Sequence, residues 1–141
     1  MYTLYYAPGA ASLVVHWLLI ELGVEHELKH LDIAARELDE YFARTRRSFD
    51  LPLDWRLAAG FRAAVLHHLP EIGYGQTASY AAVAALAGSP KAVRAVGTAC
   101  AKNPLPVVVP CHRVVRSDGA MGGYLGGPEA KRLLLDLEAA A

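Results

Sequence analysis

Residues 103–115, NPLPVVVPCHRVV, constrain the fold of this chain more than any other stretch. Pro104, Pro106 and Pro110 remove backbone donors at short intervals, which rules out a helix or a central strand. The valines between and after them nevertheless demand burial. A buried segment that can be neither helix nor central strand is a rigid loop, and it fixes Cys111 at one point. Chemistry is therefore sought first at Cys111 and its neighbours His112 and Arg113.

The elements around this loop follow from periodicity and punctuation. TLYYA is rich in strand formers and stops at Pro8-Gly9. Ser12 precedes an apolar run to Leu22 with Gly23 beyond it, which predicts a helix over 12–22. EHELKHLDI alternates as a second strand does. Residues 35–46 form a helix with Leu38, Tyr41 and Phe42 on one face, and SFDLPLDW is an extended linker. From Leu57 the pattern is helical, with Phe61, Val65, Leu66 and Leu69 inward and Pro70 as the stop. GYGQT is a turn. Residues 79–86 make an alanine-rich helix closed by Gly88. Ser89 as N-cap and Pro90 at the first helical position then open another, running to about Cys100 or Ala101 with Lys91, Arg94 and Lys102 on it. Two short helices about a tight turn, the second one basic, fit a helix-turn-helix; spacing alone fits any helical hairpin of a small bundle as well. The glycine-rich SDGAMGGYLGGP can bring bare backbone up to a ligand. Residues 129–138 close the chain as an amphipathic helix with Leu133, Leu134 and Leu137 inward.

The zero net charge hides an asymmetry. Residues 1–55 carry five Lys/Arg against nine Asp/Glu, and residues 56–135 carry nine against three. A basic block of that kind suits a polyanion, although an unevenly charged solvated surface reads the same. No apolar run is long enough to span a bilayer, and the N-terminus has no basic region ahead of an apolar core. Two cysteines without a secretory context are free thiols, and the expected location is cytoplasmic.

A thiol attacks carbon as thiolate, and an apolar burial site raises its pKa, so Cys111 needs activation. His112 and Arg113 are the nearest groups able to supply it. A histidine base needs a third group to hold its tautomer, and Asp118, Glu129, Asp136 and Glu138 are the candidates. A metal site on Cys100, Cys111 and His112 does not match the short paired spacings of zinc sites. Cys100, flanked by alanines within a helical segment, reads as a small core residue.

Several signatures occur in order: YG-x-T-x-SY, SPKAVRAVG, NP-x-P, PCHRV and GGY-x-GG. Together they resemble the C-terminal domain of the O6-alkylguanine-DNA alkyltransferases, and RELDEYFARTRRSFDLPLD extends the likeness upstream, to residues 35–138 in all. The resemblance implies an α/β (α+β) chain with a C-terminal winged-helix-like helix-turn-helix domain. It implies stoichiometric transfer of a methyl or other alkyl group from O6-alkylguanine, and by extension O4-alkylthymine, in double-stranded DNA to Cys111, with the base flipped. The same likeness makes His112 a water-mediated base and Glu138 its orienting carboxylate. Tyr80 promotes the rotation and donates a proton to the leaving guanine. Arg94 fills the space left by the base, and Lys91, Ala92, Ser79, Thr77 and Lys102 join it in binding DNA. Asn103, Val114, Tyr124, Leu125 and Gly126 build the substrate pocket. No metal and no other cofactor is implied.

Gly73 and Pro128 depart from the pattern, since the family usually has Pro before YG and a large apolar residue after GG. The first 33 residues resemble the opening strand-helix-strand of bacterial glutathione S-transferases, without that family's cis-proline or helical domain. The organisation expected is a β-α-β fragment over 1–33, a helix and linker over 34–56, and a DNA-binding catalytic domain over 57–141. The N-terminal piece either caps the repair domain or pairs its open strand edge with another copy. Two other functions compete: a DNA-lesion-binding protein that flags damage without repair, of a type that lacks the acceptor cysteine, and a glutathione-dependent transferase.

Overall fold

The computed structural model describes residues 2–6, 23, 26–30, 33–56 and 58–139. The chain divides into two compact units, Met1–Ala43 and Arg44–Ala141. In the first unit, β1 (Tyr2–Tyr6) and β2 (His26–His30) pair in parallel, with Tyr2 opposite His26 and Tyr6 opposite His30. Parallel neighbours cannot be joined by a tight hairpin and require a crossover. The helix expected over 12–22 lies outside the described residues, as does Ser12. Helix α1 (Ile33–Phe42) follows. It ends four residues short of the expected Arg46, with Arg44 in left-handed backbone at φ 63°. Its inward face is Glu37, half-buried Leu38 and fully buried Tyr41, while Phe42 is 48% exposed, so the expected apolar stripe loses its third member. Phe42 instead meets the Tyr41 ring edge-on at 5.2 Å.

The second unit is built on α2 (Gly60–His68), whose Val65 and Leu66 are buried, together with Leu69 in the 3-10 turn Leu69–Glu71 that follows. Pro70 stops the α-helix as expected, because its ring removes the donor a further turn would use. Trp55 stacks on His67 at 4.2 Å, and Leu53 and Trp55 lie against the core, so the extended SFDLPLDW is packed along its second half.

Next come β3 (Ala78–Ser79) and α3 (Tyr80–Leu86), with the Ser79 hydroxyl accepting from the Ala82 N–H at 3.0 Å as a true N-cap. Gly88 closes α3 at φ 77°, with Gly88 N donating to Ala85 O and Ser89 N to Ala84 O. This double closure is a Schellman motif, and it overturns the expected start of the next helix. Ser89 is committed to ending α3, so Pro90 and Lys91 fill a β-turn closed by Ala92 N to Ser89 O at 2.8 Å. Helix α4 (Val93–Ala101) begins only at Val93, with Ala92 at the cap position and no side-chain cap. Lys91 therefore sits on the turn and Lys102 at the C-cap, and of the three basic residues only Arg94 is helical.

Helices α2, α3 and α4 pack on one another around Val65, Leu66, Val83, Ala84, Val96 and Ala99. Each fully buried valine or leucine among them contributes roughly 1.5–3 kcal/mol. The proline-rich loop runs back under this core, with Val109 and Pro110 buried and Val107 in left-handed backbone at φ 74°. It ends in a 3-10 turn, Cys111–Arg113, and then β4 (Val114–Val115), which pairs in parallel with β3. That two-residue ladder places Tyr80, the first residue of α3, beside the cysteine segment. The last helix, α5 (Gly127–Ala139), buries Lys131, Leu134 and Glu138. Leu133 is 59% exposed and Leu137 half-buried, against the expected inward leucine face. The inward stripe carries two charged residues instead, and those charges serve the site.

Candidate active site

Cys111 opens the 3-10 turn, its N–H bonded to Val109 O at 2.8 Å, and is 2% exposed. Burial pushes its thiol above the ordinary range, while a hydrogen bond from Asn103 and the charge of Lys131 pull the other way. The bond is Asn103 Nδ2 to Sγ at 3.2 Å. The same Nδ2 donates to Val109 O at 2.7 Å, and Asn103 Oδ1 accepts from Leu105 N at 3.0 Å. Asn103 thus ties the end of α4 to the cysteine loop and aims a donor at the sulfur, which favours the thiolate.

His112 is fully buried, and its Nε2 lies 2.8 Å from Glu138 Oε1. Glu138 Oε1 also accepts from Arg113 Nη2 at 2.9 Å, and Oε2 from Arg113 Nε at 2.9 Å and Gly75 N at 3.1 Å. A carboxylate so surrounded by donors is ionised, so the histidine nitrogen facing it carries the proton. His112 Nδ1 then presents its lone pair; it is buried and makes no hydrogen bond among the described residues. Of the four carboxylates the sequence left open, Glu138 is the one on the histidine. Its place near the chain end does not leave it frayed, because α5 carries it inward at 3% exposure.

Arg113 has a different task from the one its position suggested. Its guanidinium makes the two-pronged contact to Glu138 and donates Nη1 to Ile72 O at 2.6 Å, so it orients the carboxylate rather than activating the thiol. The cation that acts on Cys111 is Lys131, fully buried, with Nζ donating to Val114 O at 2.6 Å and Gly123 O at 3.2 Å. Burial holds the Lys131 pKa below its ordinary value, with the charges of Cys100 and Cys111 opposing. Sequence reasoning missed Lys131, Gly75 and the role of Arg113. The spacing of Lys131, Leu134 and Glu138 at i, i+3 and i+7 on one helix was the available signal for the first.

A cleft of about 740 Å³ opens beside this network, lined by Tyr80, Val93, Arg94, Gly97, Cys100, Ala101, Arg116, Gly122, Gly123, Tyr124 and Leu125. Cys111 and His112 are not in the lining. Tyr80, Cys100 and Tyr124 stand toward them, and the His112 and Tyr124 rings meet edge-on at 6.4 Å. Burial, with the cysteine charges added, raises the Tyr80 phenol and pushes Tyr124 up to about 12. Tyr80 Oη donates to Gly123 O at 3.4 Å. Gly122 permits that approach, because a Cβ there would lie 2.7 Å from Tyr80 Oη. Gly126 likewise leaves room for the Tyr124 ring, at 3.0 Å. A larger groove of about 820 Å³ lies between Arg44 and the outer face of α5, at Arg132, Leu133 and Asp136; of the expected site residues it holds Glu129 and Asp136, two of the carboxylates that the sequence left open. The smaller cleft is the better candidate, since aromatic walls, a thiol and a few polar groups converge there.

The remaining expected residues are spread more widely. Lys91 and Ala92 line a separate surface groove with Ser89 and Pro90. Thr77 lies in another, with Gly75, Gly119 and Met121. Lys102 is exposed at the end of α4, Leu125 is 63% exposed at the cleft, and buried Val114 directs its carbonyl to Lys131. Cys100, expected as a core residue, is buried and also forms part of the cleft wall, and burial pushes its thiol to about 12.

Comparison with known proteins gives a consistent picture. Residues 60–140 match the family model described as the DNA-binding domain of 6-O-methylguanine DNA methyltransferase. The chain is similar to the constitutive methylated-DNA–protein-cysteine methyltransferase of Bacillus subtilis, 45% identical over 126 residues, which are 88% of this chain and 76% of that protein. It is also similar to the methylated-DNA–protein-cysteine methyltransferase of Methanosarcina barkeri, 45% identical over 74% of this chain and 66% of that one. Among solved structures, Mycobacterium tuberculosis OGT in complex with DNA superposes with a TM-score of 0.76 at 39% identity, covering 83% of this chain and 73% of that one. The chain thus spans about two thirds to three quarters of the length of these relatives.

Proposed function

The chain belongs to the 6-O-methylguanine DNA methyltransferase family, and on that premise we propose that it repairs alkylated double-stranded DNA by drawing the alkyl group of O6-alkylguanine onto Cys111. The observation that carries this reading is the buried relay Arg113–Glu138–His112 beside a cysteine whose sulfur accepts a hydrogen bond from Asn103.

The chemistry follows from the protonation states. Glu138 holds the proton on His112 Nε2, so Nδ1 is free to take the thiol proton of Cys111 through one bridging water. Asn103 and Lys131 lower the cost of the thiolate that burial otherwise raises. The sulfur attacks the alkyl carbon; the C–S bond forms as the C–O6 bond breaks, and the guanine leaves with the electron pair. Tyr80, whose raised pKa keeps it protonated, supplies the proton the leaving base needs. Atoms balance without a cofactor. The thioether is stable, so each molecule acts once.

The damaged base reaches the cleft only by leaving the stack. Arg94 on α4 takes the space it vacates, with Tyr80 at the pivot. Tyr124, Leu125, Gly126 and the Val114 backbone hold the base. Lys91, Ala92, Ser79, Thr77 and Lys102 meet the DNA around it. Two free thiols suit a reducing compartment such as the cytoplasm.

The test is stoichiometric. With excess duplex carrying O6-methylguanine, the yield of restored guanine should plateau at one equivalent per protein molecule. Tight binding without restoration would make the protein a damage flag instead, and repeated turnover would contradict the thioether.

A further inference from the structure

We propose that Arg116 is a further DNA-positioning residue, its guanidinium holding the backbone phosphate of the nucleotide that has rotated into the cleft. The proposal rests on the alkyl-transfer reading above. Arg116 directly follows β4, and backbone bonds fix it there: Arg116 N donates to Ala120 O at 2.8 Å and Gly119 N to Arg116 O at 3.0 Å. The Asp118 carboxylate caps the same turn by accepting from Ala120 N at 3.0 Å. Arg116 is thus held on a tight turn at the lip of the cleft, where it and Arg94 are the two cations among the lining residues.

The rest of the lining is aromatic, aliphatic or glycine, apart from the Cys100 thiol, and suits a base. A nucleotide that puts its base into such a cleft leaves its phosphodiester at the mouth, and that anion needs a cation. Arg94 is engaged in the space the base has left. Arg116 is 63% exposed, and its contact with Asp118 is a single 3.3 Å approach to a carboxylate that is 58% exposed. Exposed pairs of this kind hold weakly, so a phosphate can displace Asp118.

Binding of a lesion duplex is measured against salt in a Cys111→Ser background, and single-turnover transfer is measured with Cys111 intact. Arg116→Ala should weaken binding about threefold to tenfold near 0.1 M salt and make the log–log salt dependence shallower by about one. The transfer rate at saturating DNA should fall by a similar factor, because the contact holds the rotated nucleotide and its loss depletes the flipped complex. Asp118→Asn should tighten binding, since it frees the same guanidinium. An unchanged salt slope in Arg116→Ala, or a fall in the saturated rate with the slope intact, overturns the proposal. Failure of the parent protein to transfer at all would instead sink the alkyl-transfer reading, so the two failures are distinguishable.

Discussion

Removing the carboxylate of Glu138 should cost stability and transfer by separable amounts. Glu138 is 3% exposed and accepts hydrogen bonds from His112 Nε2, Arg113 Nε and Nη2, and Gly75 N. Glu138→Ala leaves the Arg113 guanidinium, itself 5% exposed, without its counter-charge, against the Ile72 carbonyl and the face of the Tyr74 ring at 5.9 Å. Breaking a buried pair on one side costs about 3–5 kcal/mol. In a unit of about 100 residues each kcal/mol moves Tm by about 4–8 °C, so the loss is at least about 12 °C. Glu138→Gln keeps the volume and one acceptor oxygen, and should lose about 2–3 kcal/mol. Its transfer rate should fall about 100-fold, since His112 loses the charge that supports its protonated form. The informative variant is the double replacement Arg113→Met with Glu138→Leu. Apolar residues of similar volume remove both charges together but take the partners of His112 Nε2, Gly75 N and Ile72 O away, so the double variant should be more stable than Glu138→Ala while transfer stays depressed. Urea unfolding followed by Trp55 fluorescence in a Trp17→Phe background gives the first quantity, and single-turnover kinetics the second. If Glu138→Gln is as stable as the parent, or the double variant transfers at the parent rate, the buried relay does not work as described.

Other perturbations probe neighbouring parts of the site. Asn103→Ala leaves Leu105 N without its partner and takes one of two donors from Val109 O, at about 1–3 kcal/mol, and pushes the Cys111 thiol further up; the pH at which iodoacetamide alkylates Cys111 should rise. Gly122→Ala places a Cβ 2.7 Å from Tyr80 Oη at a φ of 68°, so it should slow transfer sharply in single-turnover kinetics. Stability should fall from pH 9 toward pH 12, because burial lifts Cys100 from 9.0 to about 12 and the unfolded chain releases that proton first. The Cys100 share is at most about 4 kcal/mol; Tyr124 has the same sign and Lys131 the opposite one. Urea titrations of Cys100→Ala against the parent across that range isolate the thiol, and parallel curves would show that its burial is not felt.

The sequence made the cysteine loop legible because prolines and buried valines leave little else for 103–115 to be. The helix pair was legible for a similar reason, since Ser79 and Gly88 are unambiguous punctuation. Ser89-Pro90 misled because a Ser-Pro start signal and a Schellman closure use the same residue, and local pattern does not say which helix claims it. The inward face of α5 misled in the opposite sense. Three leucines pointed to an apolar stripe, yet the helix turns Leu133 out and Lys131 and Glu138 in, and buried charges become intelligible only when their partners on distant segments are known. Those partners, Gly75, Ile72, Arg113 and the Val114 carbonyl, lie 17 to 63 residues away from Lys131 or Glu138 in sequence or bond to each other across them. Val107 at φ 74° carries no sequence signal at all, since a β-branched residue is the last expected in left-handed backbone.

The central claim, that Cys111 is the alkyl acceptor, is tested most directly by following the methyl group itself. A duplex carrying O6-methylguanine with an isotope-labelled methyl is incubated with the protein, which is then digested and mapped by mass spectrometry. The account predicts one label per molecule, on the peptide containing Cys111, and none in Cys111→Ser. Label on Cys100, or an unlabelled protein that still holds the duplex, would contradict it.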